Sequence, residues 1–486
     1  MKNTTQHGSA LTMARNVTAL AAGEIGVRAL TTLGAVLIAR SLGPGPYGTL
    51  SVALAFAAIA AYLTDIGLID VTFKQLTRPN ADVGLVLGTV SKTRVALTAA
   101  SVLGSVLIIL HQHAGAQHRW VMLAVVVPSI CGMAMQGFSS SYFLAIQQMH
   151  VTAALRVASQ LVVGASLVAA WFLRWPVERV ALVYGISSLA GGLLCLQLVR
   201  RHAAPMRGWS PALLKGLSAF TLGGIGTVLL PQMGLLILER VASAAEVGYF
   251  AAASRIPVVL YAIPGCIATA WYPQMFQAGS SDPARHFRLC LSQLKINGIL
   301  GFGLSLPIAL NSRLVIGTLL GRAWEGPAAT VLSTLCWMVM LNSITIPLAD
   351  ALTTTGLQTR RAALYGIAVL AGAVLLTHLG SSGGAAGAAA AALLTQAVLS
   401  AALLAANPSG FRLLTASARQ LIVPLALGSA AAAAIRLALS VNLVTALLGA
   451  LAFFVMAAVP DAEIRTTLIR MIRRLASKSR TAIANA

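Results

Sequence analysis

Long apolar blocks alternate with short polar connections along the whole chain. A membrane-crossing helix needs about 20 predominantly apolar residues, and fourteen blocks qualify: 17–39, 47–69, 88–110, 120–145, 152–173, 178–199, 217–238, 247–275, 292–320, 328–354, 362–379, 384–406, 419–437 and 441–459. Tilt or an interfacial turn accommodates the longer ones. The breaker cluster Asn407-Pro-Ser-Gly410 separates the last two blocks from the rest. The small-residue run Gly380–Ala392 (GSSGGAAGAAAAA) enters the twelfth block. It permits close helix approach. It is no phosphate loop, because no Gly-Lys-Ser/Thr follows.

One stretch occurs twice. Gly23–Ala53 and Gly223–Ala253 align without a gap and share Gly23/Gly223, Ile25/Ile225, Gly26/Gly226, Leu30/Leu230, Gly34/Gly234, Arg40/Arg240, Gly48/Gly248 and Ala53/Ala253. Matched glycines alone would be weak evidence in a chain of this composition. An arginine followed eight residues later by glycine in both copies makes duplication the better reading. Internal repeats of this kind fix the architecture of a transporter fold and place its site between the repeats. The copies open the first and seventh blocks. Six crossings separate them, so both enter the membrane in the same direction. The expectation is an all-α polytopic membrane protein of about 14 transmembrane helices, with two parallel six-helix repeats plus two extra C-terminal helices. The boundaries are an N-lobe at 1–215, a C-lobe at 216–408, extra helices at 409–460 and a basic amphipathic cytoplasmic tail at 461–486.

Composition agrees with this pattern. Of 486 residues, 58% are hydrophobic and 9% charged, and the mean hydropathy is +0.83. A soluble domain carries about 25% charge. With the N-terminus in the cytoplasm, 21 of the 34 lysines and arginines fall on the cytoplasmic side, 8 on the opposite side and 5 within the spans, as the positive-inside rule requires. Both termini are then cytoplasmic and the number of crossings is even. Fourteen fits, and so does twelve if two blocks are interfacial. The net charge of +22 has no charge runs with interleaved aromatics, so anionic lipid or an anionic substrate fits better than nucleic acid. The tail carries Ile464, Leu468, Ile472 and Leu475 at helical spacing among Arg465, Arg470, Arg473 and Arg474. Such a helix lies on an anionic membrane surface or binds a partner. The N-terminus is polar to Arg15 and the next apolar run is too long for an h-region, so no cleavable signal peptide is expected.

Ionisable residues inside spans are costly there and mark cavities or partners. Arg28, Lys92, Arg94, Arg156 and Arg255 are cationic, against Glu24 and Asp350. Glu24 and Arg28 stand four apart on one helix face, as a self-neutralising pair or as a cationic site tuned by a carboxylate able to exchange a proton or bind a cation. Arg255 is followed by Pro257, Pro264 and Pro273, which permit bends beside a cavity. It is read as a cavity cation. Arg156, Lys92 and Arg94 lie near the cytoplasmic ends of their spans, where snorkelling to the interface competes with forming the rim of a cationic cavity. Asp350 stands near Thr353, Thr354 and Thr355 as an ion-coupling candidate, and Asp65 is read as interfacial. A wet cavity with this surplus concentrates anions, and arginine suits phosphate because its planar fork binds two oxygens at once. The five cysteines have no paired spacing, and His111, His113 and His118 share a short loop that is read as solvated more readily than as a metal site. No nucleophile elbow, H-E-x-x-H, Walker motif or pair of loop carboxylates is present. No cofactor or metal is expected, nor an enzyme.

Several segments resemble one family. Ala39-Arg-Ser-Leu-Gly43, Tyr47-Gly48 and Asp65-Ile-Gly-Leu68 are similar to the opening signature of Wzx-type oligosaccharide flippases. Val247-Gly-Tyr-Phe250 with Ala253, Arg255, Pro264 and Pro273 resembles that family's second-lobe helix, and Leu319-Leu-Gly321 and Gly384–Ala392 match in kind and order. The resemblance covers about residues 1–410. Membership of the multidrug/oligosaccharidyl-lipid/polysaccharide exporter superfamily follows more firmly than the subfamily. It implies two six-helix lobes alternating between inward-facing and outward-facing states in the bacterial inner membrane. The implied cargo is a lipid-linked oligosaccharide on undecaprenyl pyrophosphate, for exopolysaccharide or O-antigen (lipopolysaccharide) synthesis. Glycosyltransferases and a polysaccharide polymerase are the implied partners, with membrane lipids. Membrane potential or a proton or sodium gradient would drive the cycle. Glu24 beside Arg28 departs from the charge expected to hold phosphate and puts Arg28 in more doubt than Arg255.

Three alternatives stay open. A flippase for lipid-linked peptidoglycan precursor would use the same fold and charge. A cation-coupled multidrug exporter of the same superfamily would want an acidic drug site. A membrane glycosyltransferase or polymerase would usually show a long extracytoplasmic loop or catalytic carboxylates.

Overall fold

The computed structural model describes residues 30–76, 82–112, 115–146, 148–202, 206–214, 217–438 and 442–458. Glu24, Arg28 and the basic tail lie outside the described residues.

The described chain is helical almost throughout. The helices are α1 (Leu30–Leu42), α2 (Pro44–Tyr62), α3 (Leu68–Leu76), α4 (Val83–Gln112), α5 (Ala116–Ala145), α6 (Met149–Phe172), α7 (Val177–His202), α8 (Leu217–Val241) and α9 (Ala244–Leu260). They continue as α10 (Ala262–Ser281), α11 (Pro283–Leu310), α12 (Ser312–Leu319), α13 (Pro327–Leu335), α14 (Trp337–Thr354), α15 (Gln358–Ala406), α16 (Gly410–Ala438) and α17 (Leu443–Ala458). Among the described residues eleven helical segments are long and apolar enough to cross a membrane. One of them, α15, is two helices joined at Gly384, where φ 55° and ψ −135° suit only glycine. Adding its second arm, α1 and α17 reproduces the expected set of fourteen.

Local chemistry explains the joints. Gly43, at φ 78°, turns α1 into α2, and Pro44 opens α2 where its missing N–H is not needed. Asp282 caps α11 by accepting from the Arg285 N–H at 2.9 Å, with Pro283 next. Gly356, at φ 79°, ends the turn after α14, where the Leu357 N–H bonds to the Leu352 carbonyl at 2.8 Å. The eighth expected span is broken at Tyr261 into α9 and α10, and the ninth starts earlier than expected, at Pro283. The second of α2's ends carries an unanticipated short helix, α3. Ile66 (φ 35°) and Gly67 (φ 91°) turn the chain into it, and the Thr221 hydroxyl donates to the Ile66 carbonyl at 2.8 Å.

The helices gather into two units. The first runs to Val259 and takes in Ile316–Val331 and Ala362–Thr395. Its α5 and α7 approach closely because Gly132, Gly185 and Gly192 leave no Cβ between the backbones. Both copies of the duplicated stretch, as far as they are described, lie in this unit. The second contains Leu260–Val315, Leu332–Arg361 and the chain from Gln396 onward. There α11 packs against α14, and the α16–α17 hairpin packs on α11. Phe453 is fully buried and stacks on Phe302 with ring centroids 5.7 Å apart.

Gly303 of α11 makes that last contact possible. A Cβ there would lie 2.6 Å from Phe453 and 2.7 Å from Phe454, whereas one at Gly265 of α10 would meet nothing within 4 Å. Gly303→Leu should therefore lower Tm in detergent by several degrees while Gly265→Leu does not. Equal Tm for the two variants would contradict this packing.

Candidate functional site

The duplicated glycines face each other. Gly48 of α2 and Gly248 of α9 are both buried. A Cβ on Gly48 would strike the Ala244 carbonyl oxygen and lie 2.9 Å from the Gly248 nitrogen. A Cβ on Gly248 would strike the Pro44 carbonyl oxygen. Ala244 stands 200 positions after Pro44, as Gly248 stands after Gly48, so the two copies cross through the same contact made twice. The duplicated arginines each approach a segment outside their own copy. The Arg240 guanidinium donates to Gln112 Oε1 at the end of α4. Arg40 reaches the segment after α12, where a Cβ on Gly321 would lie 3.9 Å from its Nε. Each arginine thus reaches into the other repeat.

A cavity of about 310 Å³ lies beside this crossing, lined by Thr49, Val52, Gln112, His118, Glu239 and Arg240 among others. His118 Nε2 and Glu239 Oε1 are 3.1 Å apart across it. The crossing occupies the end of the unit where α1 meets α2, α4 meets α5 and α8 meets α9.

Arg255 sits about three turns along α9 from Ala244. It is half-buried, and its Nε donates to the Tyr47 hydroxyl at 3.2 Å. Tyr184 of α7 lies within electrostatic reach of the guanidinium. Tyr47 is 1% exposed and meets Trp324 edge-to-face at 6.2 Å; Tyr249 meets the other side of Trp324 at 5.7 Å. Arg255 is therefore anchored by a phenol that an aromatic cluster holds still. Among the described residues no carboxylate pairs with it.

The other expected cations are placed differently, and none shares a partner with Arg255. Arg94 is 3% exposed, so it does not snorkel. Its guanidinium forms an ion pair with Asp65 and reaches the Ala134 carbonyl and Ser141 Oγ, in space that Gly137 leaves by having no Cβ. Asp65 is accordingly more than an interfacial carboxylate, because it pairs with the buried Arg94. Arg156 is half-buried in a narrow groove with Gln136, Ser139, Ser140, Thr152 and Cys195. Lys92 is exposed. Asp350 belongs to the second unit and accepts from Gln293 Nε2 at 3.3 Å. Among the described residues no group of three His, Cys, Asp or Glu side chains is placed to hold a metal.

Residues 13–278, more than half of the chain, match the sequence family described as polysaccharide biosynthesis protein. The chain belongs to this family. No curated protein matches this polysaccharide biosynthesis protein, but solved structures share its fold. The lipid II flippase MurJ in an inward closed conformation matches with TM-score 0.74 and 14% identity, over 91% of this chain and 98% of that one. An inward-facing multidrug resistance MATE family transporter of the MOP superfamily matches with TM-score 0.64 and 13% identity, over 80% of this chain and 95% of that one. A MOP superfamily transporter from Pyrococcus furiosus matches with TM-score 0.57 and 13% identity, over 82% of this chain and 96% of that one. The fold is that of the superfamily the sequence motifs resemble.

Sequence reading singled out Arg255 but gave no role to Tyr47, Tyr184, Trp324 or the His118–Glu239 contact. The duplicated Gly48/Gly248 was the available signal for the crossing. In Gly248→Leu the backbones at the crossing must part, and a cysteine placed at Thr49 in the adjoining cavity should react faster with an impermeant maleimide than it does with Gly248 intact. Unchanged labelling would contradict the close approach.

Proposed function

We propose that this protein flips a lipid-linked oligosaccharide, carried on undecaprenyl pyrophosphate, across the bacterial inner membrane for exopolysaccharide or O-antigen synthesis. The observation that carries the reading is Arg255: a half-buried guanidinium inside a span, positioned by Tyr47 and paired with no carboxylate among the described residues. An uncompensated cation in hydrocarbon is unfavourable on its own. It becomes favourable when an anion arrives, and a guanidinium takes two phosphate oxygens at once. The lipid tail stays in the bilayer while the head group uses the cation.

The repeats at 1–215 and 216–408 act as the two lobes, with both termini cytoplasmic. The Gly48–Gly248 crossing then lies on the extracytoplasmic side and must part for release. At the crossing, Gly48 and Gly248 each present bare backbone to the other copy, which suits a joint that opens and closes. Tyr47 follows Gly43 and precedes Gly48 at the crossing itself, so parting the helices would move the phenol away from Arg255. Cargo binding and opening would share one side-chain contact. Arg156 in its groove and Lys92 on the surface offer further positive charge along the path. Glycosyltransferases make the cargo before this step and a polymerase uses it afterwards.

Lipid-linked peptidoglycan precursor is the second reading. It draws on the fold shared with the lipid II flippase across nearly the whole of that chain, and it presents the same pyrophosphate to the same arginine.

In a strain that depends on this protein for surface polysaccharide, Arg255→Ala should abolish export while the protein still accumulates in the membrane. Arg255→Lys should retain part of the activity, because the charge stays and the fork is lost. Normal surface polysaccharide in the Arg255→Ala strain would sink the assignment. Intact polysaccharide with arrested cell-wall synthesis would move the cargo to the second reading.

A further inference from the structure

Ile316–Val331 belongs to the first unit, although the chain before and after it belongs to the second. The segment leaves α12, turns through Gly321 at φ 95° and a short 3-10 turn at Arg322–Trp324, and enters α13. This hairpin closes on itself. The Gly321 N–H bonds to the Gly317 carbonyl at 3.1 Å and the Trp324 N–H to the Gly321 carbonyl at 3.1 Å. A Cβ on Gly317 would strike the Glu325 carboxylate, so the two arms touch across the turn. Every fourth residue along it is buried: Ile316, Leu320, Trp324 and Ala328.

Trp324 is 2% exposed, and the rings it is buried against come from both copies of the duplicated stretch. It meets Tyr47 at 6.2 Å and Tyr249 at 5.7 Å, edge-to-face in each case. Tyr47 immediately precedes Gly48, and Tyr249 immediately follows Gly248. A single side chain from outside the duplication therefore touches the neighbour of each crossing glycine. Tyr47 is also the residue whose hydroxyl accepts from Arg255 Nε. The hairpin thus has its one large ring at the point where the crossing and the cation meet.

We propose that Trp324 is a positioning residue that fastens the Gly48–Gly248 crossing and holds Tyr47 against Arg255. The glycines let the backbones approach but supply no side chain to keep them together. The indole supplies one, packed on a ring from each copy, and edge-to-face aromatic pairs attract beyond the area they bury. Removing it leaves a gap between Tyr47 and Tyr249. The crossing then loosens, and the phenol loses its fixed place at Arg255. The hairpin is covalently continuous with the second unit at both ends, so a movement of that unit has a direct path along the chain to the indole. The fastening of the crossing stands whatever the cargo is. The effect on cargo rests on the reading of Arg255 given above.

The test uses purified full-length protein in detergent. A water-soluble maleimide reacts with a cysteine placed at Thr49, and labelling is read at that residue by peptide mass. Trp324→Ala should raise the labelling rate several-fold, whereas Trp324→Phe, which keeps a ring, should stay close to the parent. Gly303→Leu lowers Tm through the second unit and should leave the rate unchanged. Where Trp324→Ala does not fold, Trp324→Leu takes its place and should label faster than Trp324→Phe. The link to Arg255 is read by a double-mutant cycle on undecaprenyl pyrophosphate binding. The ring-less variant should bind several-fold more weakly than the unaltered chain, and should add little to the loss in Tyr47→Phe, which lacks the hydroxyl. Unchanged labelling in a folded ring-less variant, or an equal rise in Gly303→Leu, would overturn the fastening. Equal weakening with and without the Tyr47 hydroxyl would overturn the link to Arg255. Undecaprenyl pyrophosphate bound equally by the unaltered chain and Arg255→Ala would count against the cargo and leave the labelling result standing.

Discussion

Hydrocarbon offers a polar group no solvent, so every charge and amide buried in this chain must be met from within it. That constraint organises both units. Arg94 is matched by Asp65 and by a carbonyl and a hydroxyl, in space left by Gly137. Glu246 meets the break in α15 by accepting from the Ala385 N–H at 2.6 Å. Thr345, Gln396 and Ser400 satisfy one another in the second unit. Against this background Arg255 stands out, a cation inside a span with a phenol as its hydrogen-bond partner. The functional reading rests on it.

The second organising feature is the duplication. Gly48 and Gly248 hold the two copies together because each gives up its side chain to the other copy's backbone. A fold that must open and close gains from such a joint, because glycine lets the two backbones meet with no Cβ between them. The asymmetric residues are added on top. Arg255 has Ala55 as its repeat counterpart, and it points its guanidinium at Tyr47 of the first copy. The shared residues build the joint, and the unshared charge is the candidate for chemistry.

Much of the architecture was legible in hydropathy alone, because a span of lipid-facing helix must be apolar over its whole length. The fourteen blocks were readable for that reason, whereas the repeat showed in ungapped identities such as Arg40/Arg240 and the breaker in Asn407-Pro-Ser-Gly410. Turns that depend on one backbone angle were less so: the break at Tyr261 and the Ile66–Gly67 reversal leave little trace in composition. Pairings distant in sequence were not readable. Asp65 and Arg94 are 29 positions apart, and each alone looked interfacial. Arg255 stood out because a formal charge in an apolar block is conspicuous.

The central claim is that Arg255 is the contact for the cargo's phosphate. Its most direct test is binding of undecaprenyl pyrophosphate, without sugar, to the purified protein by native mass spectrometry, comparing the unaltered chain with Arg255→Ala and Tyr47→Phe. Strong binding by the unaltered chain, loss in Arg255→Ala and weakening in Tyr47→Phe, with undecaprenol unable to compete, is the predicted result. Equal binding by the unaltered chain and Arg255→Ala would contradict it.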